Sequence, residues 1–306
     1  MNSSSYASAL IAAQDAAGTQ HLPPGTLYVV ATPIGNLADI TLRALHLLRV
    51  ADVVACEDTR HTQSLLRAYG IEKSGASLMA VHQHNEQEAA QLVIARLREG
   101  LRVAYVSDAG TPAVSDPGAR LVAAVRTESL PVMPLPGASS VTAALSAAGA
   151  VDESGGFVFA GFLPTKTNER AQSVQALALE PRAVVLLEAP HRVAALAGAL
   201  EVLRDRPLTV AREISKQFEQ IVTLPAEAFP SWLAADPQRT RGEFVLVLHP
   251  LPRAAAGEGP DDATLRTLDL LLAELPLKTA VKLAADITGT PRNALYEKAL
   301  ERKKQE

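Results

Sequence analysis

The loop SDAGTPAVSDPG, residues 107–118, carries Asp108 and Asp116 among glycines and prolines, directly after the apolar segment VAYV. Glycine lets a backbone approach a ligand closely, and a P-loop or a G-x-G-x-x-G turn would use that freedom to cradle phosphate. Neither motif occurs, the loop holds no lysine or arginine, and its two carboxylates would repel an anion. Carboxylates in such a place suit hydroxyls or positive charge. A second segment, PGASS (136–140), sets Ser139 and Ser140 at the start of the helical stretch VTAALSAAG. The amides and dipole of a helix start favour a carboxylate or a ring acceptor. A phosphate-free ligand that combines hydroxyls, a cation, an adenine and a carboxylate is S-adenosylmethionine. Singly, each loop also has an ordinary use as a turn or a cap, and the residues leave both readings open.

The elements that must position these loops repeat along the chain. TLYVVA leads into TPIGNL and LRALHLLRVA, DVVACE into DTRHTQSLLRAYG, LRVAYV into the loop above, and LPVMPL into PGASS. Strands alternating with helices predict an α/β domain over residues 25–151 with a largely parallel sheet. Ligands of such sheets sit beyond the carboxyl ends of the strands, where TPIGNL, SDAGTPAVSDPG and PGASS all fall. DESGG (152–156) reads as a linker to a second α/β domain, 157–250. That block has more strands per helix and predicts a mixed sheet. HPLPRAAAGEGPDD reads as a second linker, to a helical C-terminal module at 262–306, and residues 1–24 read as a flexible tail. Of 306 residues, 48% are hydrophobic and 20% charged, with net charge −4 and aromatic content 4%. This describes an ordinary globular protein without a chain-wide basic footprint for nucleic acid and without a stacking platform for single strands. Cys56 is the single cysteine, so an internal disulfide and a multi-cysteine zinc site are excluded. The expected location is cytoplasmic, with no membrane partner, no DNA and no metal; His82 and His84 lack a partnering carboxylate cluster.

TPIGNLADIT, CEDTRHTQSLL, SDAGTPAVSDPG, PLPGASS, FAGFLP, EAPHR, REISKQFE and GEFVLV follow one another over residues 25–250. In that order they resemble the ribosomal-RNA branch of the tetrapyrrole-methylase superfamily. The resemblance implies a two-domain fold with sheets flanked by helices and S-adenosylmethionine in the cleft between domains. It implies a homodimer whose substrate is a cytidine ribose 2′-hydroxyl in the decoding region of 16S rRNA, in the small ribosomal subunit. Small-molecule members carry Gly-x-Gly-Pro-Gly-Asp after the first strand; here Thr32, Pro33, Ile34, Gly35 and Asn36 keep one glycine. Pro33, Ile34 and Gly35, then Asp108, Ala109, Gly110, Thr111, Ala113 and Val114, then Ser139 and Ser140 match the cofactor loops of the first domain. Phe162, Leu187, Ile214 and Ser215 match the positions where the second domain closes over the cofactor.

Methyl transfer from a sulfonium is an in-line displacement that needs a positioned hydroxyl and a charge near it. Glu57 or Glu86 is the expected proton acceptor. Arg60, Arg212 and Lys216 are the expected partners of RNA phosphate or of the developing oxyanion. Asp58–Thr59 can equally cap a helix, and Cys56 reads as a buried small residue. In the tail, Leu277, Ala280, Val281 and Ala284 share a helical face, and Gly289, Thr290 and Pro291 separate two helices. Lys278, Lys282, Arg292, Lys298, Arg302, Lys303 and Lys304 give the tail a basic bias. It reads either as a helix-turn-helix-like grip on rRNA phosphates or as a solvated hairpin. Two other functions fit the same residues: a methylase of a corrin or porphyrin precursor, and a non-catalytic RNA-binding protein of ribosome assembly. A dinucleotide oxidoreductase is disfavoured by the missing glycine fingerprint.

Overall fold

The computed structural model describes residues 6–82, 85–115, 118–151, 156–251 and 262–303. Most of both expected linkers, as well as His84, Asp116 and Lys304, lie outside them. Strands β1 (Leu27–Val30), β2 (Val53–Cys56), β3 (Leu78–Ala80), β4 (Val103–Val106) and β5 (Val132–Leu135) form one sheet in the order β3-β2-β4-β1-β5. Every pairing in it is parallel. Its central strands are near-continuous apolar runs because both faces are covered. Helices α1 (Ala7–Ala17), α2 (Leu42–Val50) and α3 (Thr59–Ala68) lie on one face, and α4 (Glu86–Arg98) and α5 (Ala119–Thr127) on the other. Thr41 caps α2 by accepting the Ala44 N–H, and Asp58 caps α3 by accepting those of Arg60 and His61.

Residues 1–24, expected to be a flexible tail, instead contain α1. Ala13 is buried in the same core as α2, Ala17 is buried as well, and the Tyr6 ring meets that of Tyr69 edge-on at 5.3 Å. Small alanines let α1 pack closely on α2, an arrangement that its weak apolar periodicity does not announce.

After α6 (Ser140–Ala148), strands β6 (Phe157–Gly161), β7 (Ala183–Glu188), β8 (Pro207–Arg212), β9 (Gln220–Pro225) and β10 (Phe244–Leu248) form the second sheet, ordered β6-β7-β10-β8-β9. Only β6 and β7 are parallel; the other pairs are antiparallel. The sheet is mixed, as expected. Its outer face packs on α7 (Thr167–Ala178), α8 (Val193–Leu200) and α9 (Phe229–Ala234). Its inner face meets α6: Val141, Ala144 and Ala148 pack with Val185, Ala211, Val245 and Val247. Each fully buried valine there contributes roughly 1.5–3 kcal/mol. This shared core joins both sheets into one compact unit, Met1–Leu251.

The second unit, Pro252–Glu306, holds α10 (Asp262–Glu274), α11 (Leu277–Thr288) and α12 (Arg292–Lys303) around Leu268, Val281, Ala284, Leu295 and Ala299. Gly289 ends α11 in the left-handed conformation.

Candidate active site cleft

A cleft of about 360 Å³ opens beyond the carboxyl ends of β1, β4 and β5, facing the inner side of the second sheet. Three loops of the parallel sheet form one wall and are tied together largely by backbone. Thr32 and Gly110 exchange both hydrogen bonds at 2.9 and 3.0 Å, and Thr32 Oγ1 donates to the Ser107 carbonyl. Thr111 Oγ1 donates to the Ala138 carbonyl at 3.0 Å. Asp108 Oδ1 accepts the Asp58 N–H at 3.3 Å. Gly110 has φ of +80°, a conformation costly for any residue with a Cβ.

Ile34, Asp108, Ala109, Gly110, Thr111, Val114, Ser139 and Ser140 line this wall. Ser139 takes the N-cap position of α6, but its hydroxyl makes no cap hydrogen bond. Phe162, Leu187 and Ile214 line the opposite wall. Pro33, Gly35, Ala113 and Ser215 flank the cleft rather than line it. Pro33 is buried, whereas Gly35 and Ser215 join the walls. The Asn36 N–H donates to Ser215 Oγ at 3.2 Å, and Gly35 lies so close to Lys216 that a Cβ would stand 2.4 Å from its Cγ. Ala113 and Ser115 on one wall, with Glu213 and Ser215 on the other, have positive φ. These are four of the six non-glycine residues so placed among the described residues, and strained backbone of this kind gathers at functional sites.

The expected catalytic residues scatter. Lys216 reaches the rim, where Nζ donates to Glu213 Oε1 at 2.8 Å and to Glu243 Oε2 at 3.0 Å. Burial alone would lower its pKa, but the two carboxylates outweigh this and hold it above the ordinary lysine value. Glu57 follows β2 and Arg60 lies in the first turn of α3 with a side chain 92% exposed; neither is among the described residues lining the cleft. Glu86 and Arg212 need correction. Glu86 is buried, and its Oε1 accepts the N–H groups of Gly118, Arg120 and Leu121, so its carboxylate is taken up in capping α5. Arg212 is buried too. It donates to the carbonyls of Arg241, Phe218 and Gln238, so its guanidinium is spent pinning the chain around β8.

Sequence reasoning passed over Ser115, Val141, Glu188, Ala189, Pro190, Glu243, Phe244 and Val245, all of which line the cleft. The signal for Glu188 and Glu243 was a carboxylate at the end of an apolar strand, in AVVLLE and before FVLVL. Glu188 is fully buried and 3.0 Å from Arg192 Nε. Arg192 also donates to the Leu163 carbonyl, and its guanidinium carbon lies 5.9 Å from the centre of the Phe162 ring. A glutamate thus holds an arginine that braces an aromatic ring on the cleft wall.

Among the described residues Asp108, Glu188 and Glu243 are the charged ones lining the cleft, with no lysine or arginine beside them. A cationic, phosphate-free ligand fits such a lining.

In the helical unit, three of the basic side chains are neutralised locally: Arg292 by Asp286, Lys298 by Glu301 and Arg302 by Asp269. Lys278 and Lys282 are exposed on α11.

Comparison with known proteins matches residues 26–230 to the tetrapyrrole (corrin/porphyrin) methylases and residues 258–303 to a domain described as the RsmI C-terminal HTH domain. The chain is 47% identical to ribosomal RNA small subunit methyltransferase I of Pseudomonas aeruginosa, over 91% of this chain and 98% of that protein. It is 46% identical to the protein of that name from Escherichia coli O157:H7, over 90% and 95%. Among solved structures, cobalt precorrin-4 methyltransferase superposes with TM-score 0.54 at 21% identity, over 74% of this chain and 97% of that one. Uroporphyrin-III C-methyltransferase from Thermus thermophilus, complexed with S-adenosylhomocysteine, gives 0.51 at 21% identity, over 73% and 97%. At that distance the likeness shows the fold alone.

Proposed function

The chain belongs to the tetrapyrrole methylase family and is a methyltransferase dependent on S-adenosylmethionine; from that premise we propose that it methylates the 2′-hydroxyl of a cytidine ribose in the 16S rRNA of the small ribosomal subunit. The observation that carries this reading is identity of 47% across nine-tenths of the chain to a ribosomal RNA small subunit methyltransferase, with the C-terminal domain included. In the bound state the cofactor supplies a methyl group on a positively charged sulfur. The chain's own residues do the rest. Asp108 and the loops around Gly110 and Ser139 hold the adenosine and methionine ends, Phe162, Leu187 and Ile214 close over them, and the walled cleft excludes water from the displacement. Lys216 anchors the rim, and Arg60 on the surface meets RNA phosphate. Lys278 and Lys282 add phosphate contacts that give register but no sequence choice.

The same resemblance supports a homodimer in the cytoplasm. Among the described residues no helix is long and apolar enough to cross a membrane. Purified protein incubated with labelled S-adenosylmethionine should label 16S rRNA, and primer extension at low nucleotide concentration should stop at one ribose. A stop that persists in cells lacking the protein would overturn the reading. Sedimentation should give twice the chain mass.

A further inference from the structure

We propose that Glu243 takes the proton from the ribose hydroxyl as the methyl group is transferred, an assignment that rests on the function proposed above. Among the described residues three acidic side chains line the cleft, and strand alternation separates the two on the second sheet. On β10, Phe244, Leu246 and Leu248 belong to the outer core, and Val245 and Val247 to the inner core against α6. Glu243 directly precedes Phe244, so it continues the inner, cleft-facing series, and its side chain is 72% exposed. On β7, Glu188 stands opposite Phe244 and continues the outer series of Val184 and Leu186. It is fully buried and paired with Arg192. Asp108 is engaged by the Asp58 N–H within the loops of the first sheet. Glu188 is buried and Asp108 half-buried, whereas Glu243 is exposed, so of the three it is the carboxylate most open to an incoming ribose.

Its position is fixed. Oε2 accepts from Lys216 Nζ at 3.0 Å, its own N–H donates to Glu213 Oε1 at 2.9 Å, and its carbonyl accepts the Glu213 N–H at 3.0 Å. The charged groups around it are Lys216 and Glu213 on the loop after β8, Glu219 bonded to the Ser215 N–H, Arg241 two residues earlier, buried Arg212 on β8, and Asp108 on the other wall. In the step, the ribose oxygen forms a bond to the methyl carbon while the carbon–sulfur bond breaks with its electron pair going to sulfur. The hydroxyl proton passes to the Glu243 carboxylate, which returns it to water. Lys216 is a positioning residue that aims the carboxylate.

The test compares full-length wild type, Glu243→Gln and Glu243→Ala. Each is assayed by labelled methyl transfer to 16S rRNA, calorimetry with S-adenosylhomocysteine, and thermal melting. Glutamine still accepts from Lys216 but cannot take a proton. We expect Glu243→Gln to lose about 100-fold or more in kcat, with adenosylhomocysteine affinity within twofold and melting unchanged. Glu243→Ala should lose at least as much activity. A Glu243→Gln rate within threefold of wild type, or a loss that merely tracks weaker adenosylhomocysteine binding, overturns the assignment alone. A wild type that labels no 16S rRNA overturns it together with the proposed function.

Discussion

The two walls of the cleft are built on opposite logics. The first is an all-parallel sheet whose strands end at one edge, so its ligand loops arrive together and are tied largely by backbone, as in the paired bonds of Thr32 and Gly110. The second is mostly antiparallel, so chain ends of opposite polarity meet: Glu188 closes β7 just where Phe244 opens β10. Its loops are held by side-chain ion pairs, Glu188 with Arg192 and Glu213 and Glu243 with Lys216. One wall should therefore yield to changes of backbone freedom and the other to loss of charge.

Breaking the ion pair of the second wall should cost most. Arg192→Met leaves Glu188 fully buried without its cation, a loss of about 3–5 kcal/mol for a fully buried pair. Because Arg192 is one-fifth exposed, we expect about 2–3 kcal/mol, or a fall of roughly 5–10 °C in Tm at this chain length. The double variant Glu188→Leu/Arg192→Met should recover most of it. If the single variant melts as wild type does, ion pairing is not what holds this wall.

On the first wall, Asp108→Ala should leave folding largely intact while weakening S-adenosylmethionine binding by about 10- to 100-fold, the worth of a hydrogen bond to a charged group. Asp108→Asn keeps an acceptor for the Asp58 N–H and should fall between. Equal affinity for all three proteins by calorimetry would remove Asp108 from the ligand site.

This asymmetry also explains what could be read in advance. Strand-then-loop repetition exposed TPIGNL, SDAGTPAVSDPG and PGASS at once, because in a parallel sheet every carboxyl end faces the same way. Glu243 escaped because it precedes its strand, and only the register of β10 against β7 tells which face it joins. Glu86 and Arg212 misled for a related reason. A charge beside an apolar run can serve a ligand or satisfy buried backbone, and the sequence does not say that three amides at the start of α5 await one carboxylate. In α1, packing of alanines on α2 overrode a composition that reads as a tail.

Where the walls touch, Gly35→Ala tests the join directly. The added Cβ would lie 2.4 Å from Lys216 Cγ and 3.0 Å from Ser215 Oγ, forcing the rim lysine off its carboxylates. We expect roughly 1 kcal/mol of destabilisation, at the low end of overpacking costs. Activity should fall more than stability, because the lysine that aims Glu243 has moved. Activity falling only in step with Tm would mean that the contact is packing and nothing more.

The smallest effect separates the walls by pH. Burial would raise the pKa of Glu213, but the bonds from Lys216 and the Glu243 N–H, with the charges of Lys216 and Arg212, outweigh it and hold the carboxyl below its usual range. A depressed carboxylate stabilises fully above its unfolded value of about 4.3 and loses that contribution as pH falls through the lower folded value. Lys216, raised, contributes fully below about 10.4 and loses it as pH climbs through its own higher value. The difference in denaturation midpoint between wild type and Lys216→Met should thus stay flat from about pH 5 to 10 and shrink towards pH 3. Both side chains are partly exposed, so the stability difference behind it should remain under about 1 kcal/mol. On the first wall the Asp58 carboxyl is also held low, by the Arg60 and His61 N–H groups, but it owes nothing to Lys216 and cancels from the comparison. A gap that widened in acid would mean that the lysine opposes the rim it spans, and the second wall would then be held by its backbone like the first.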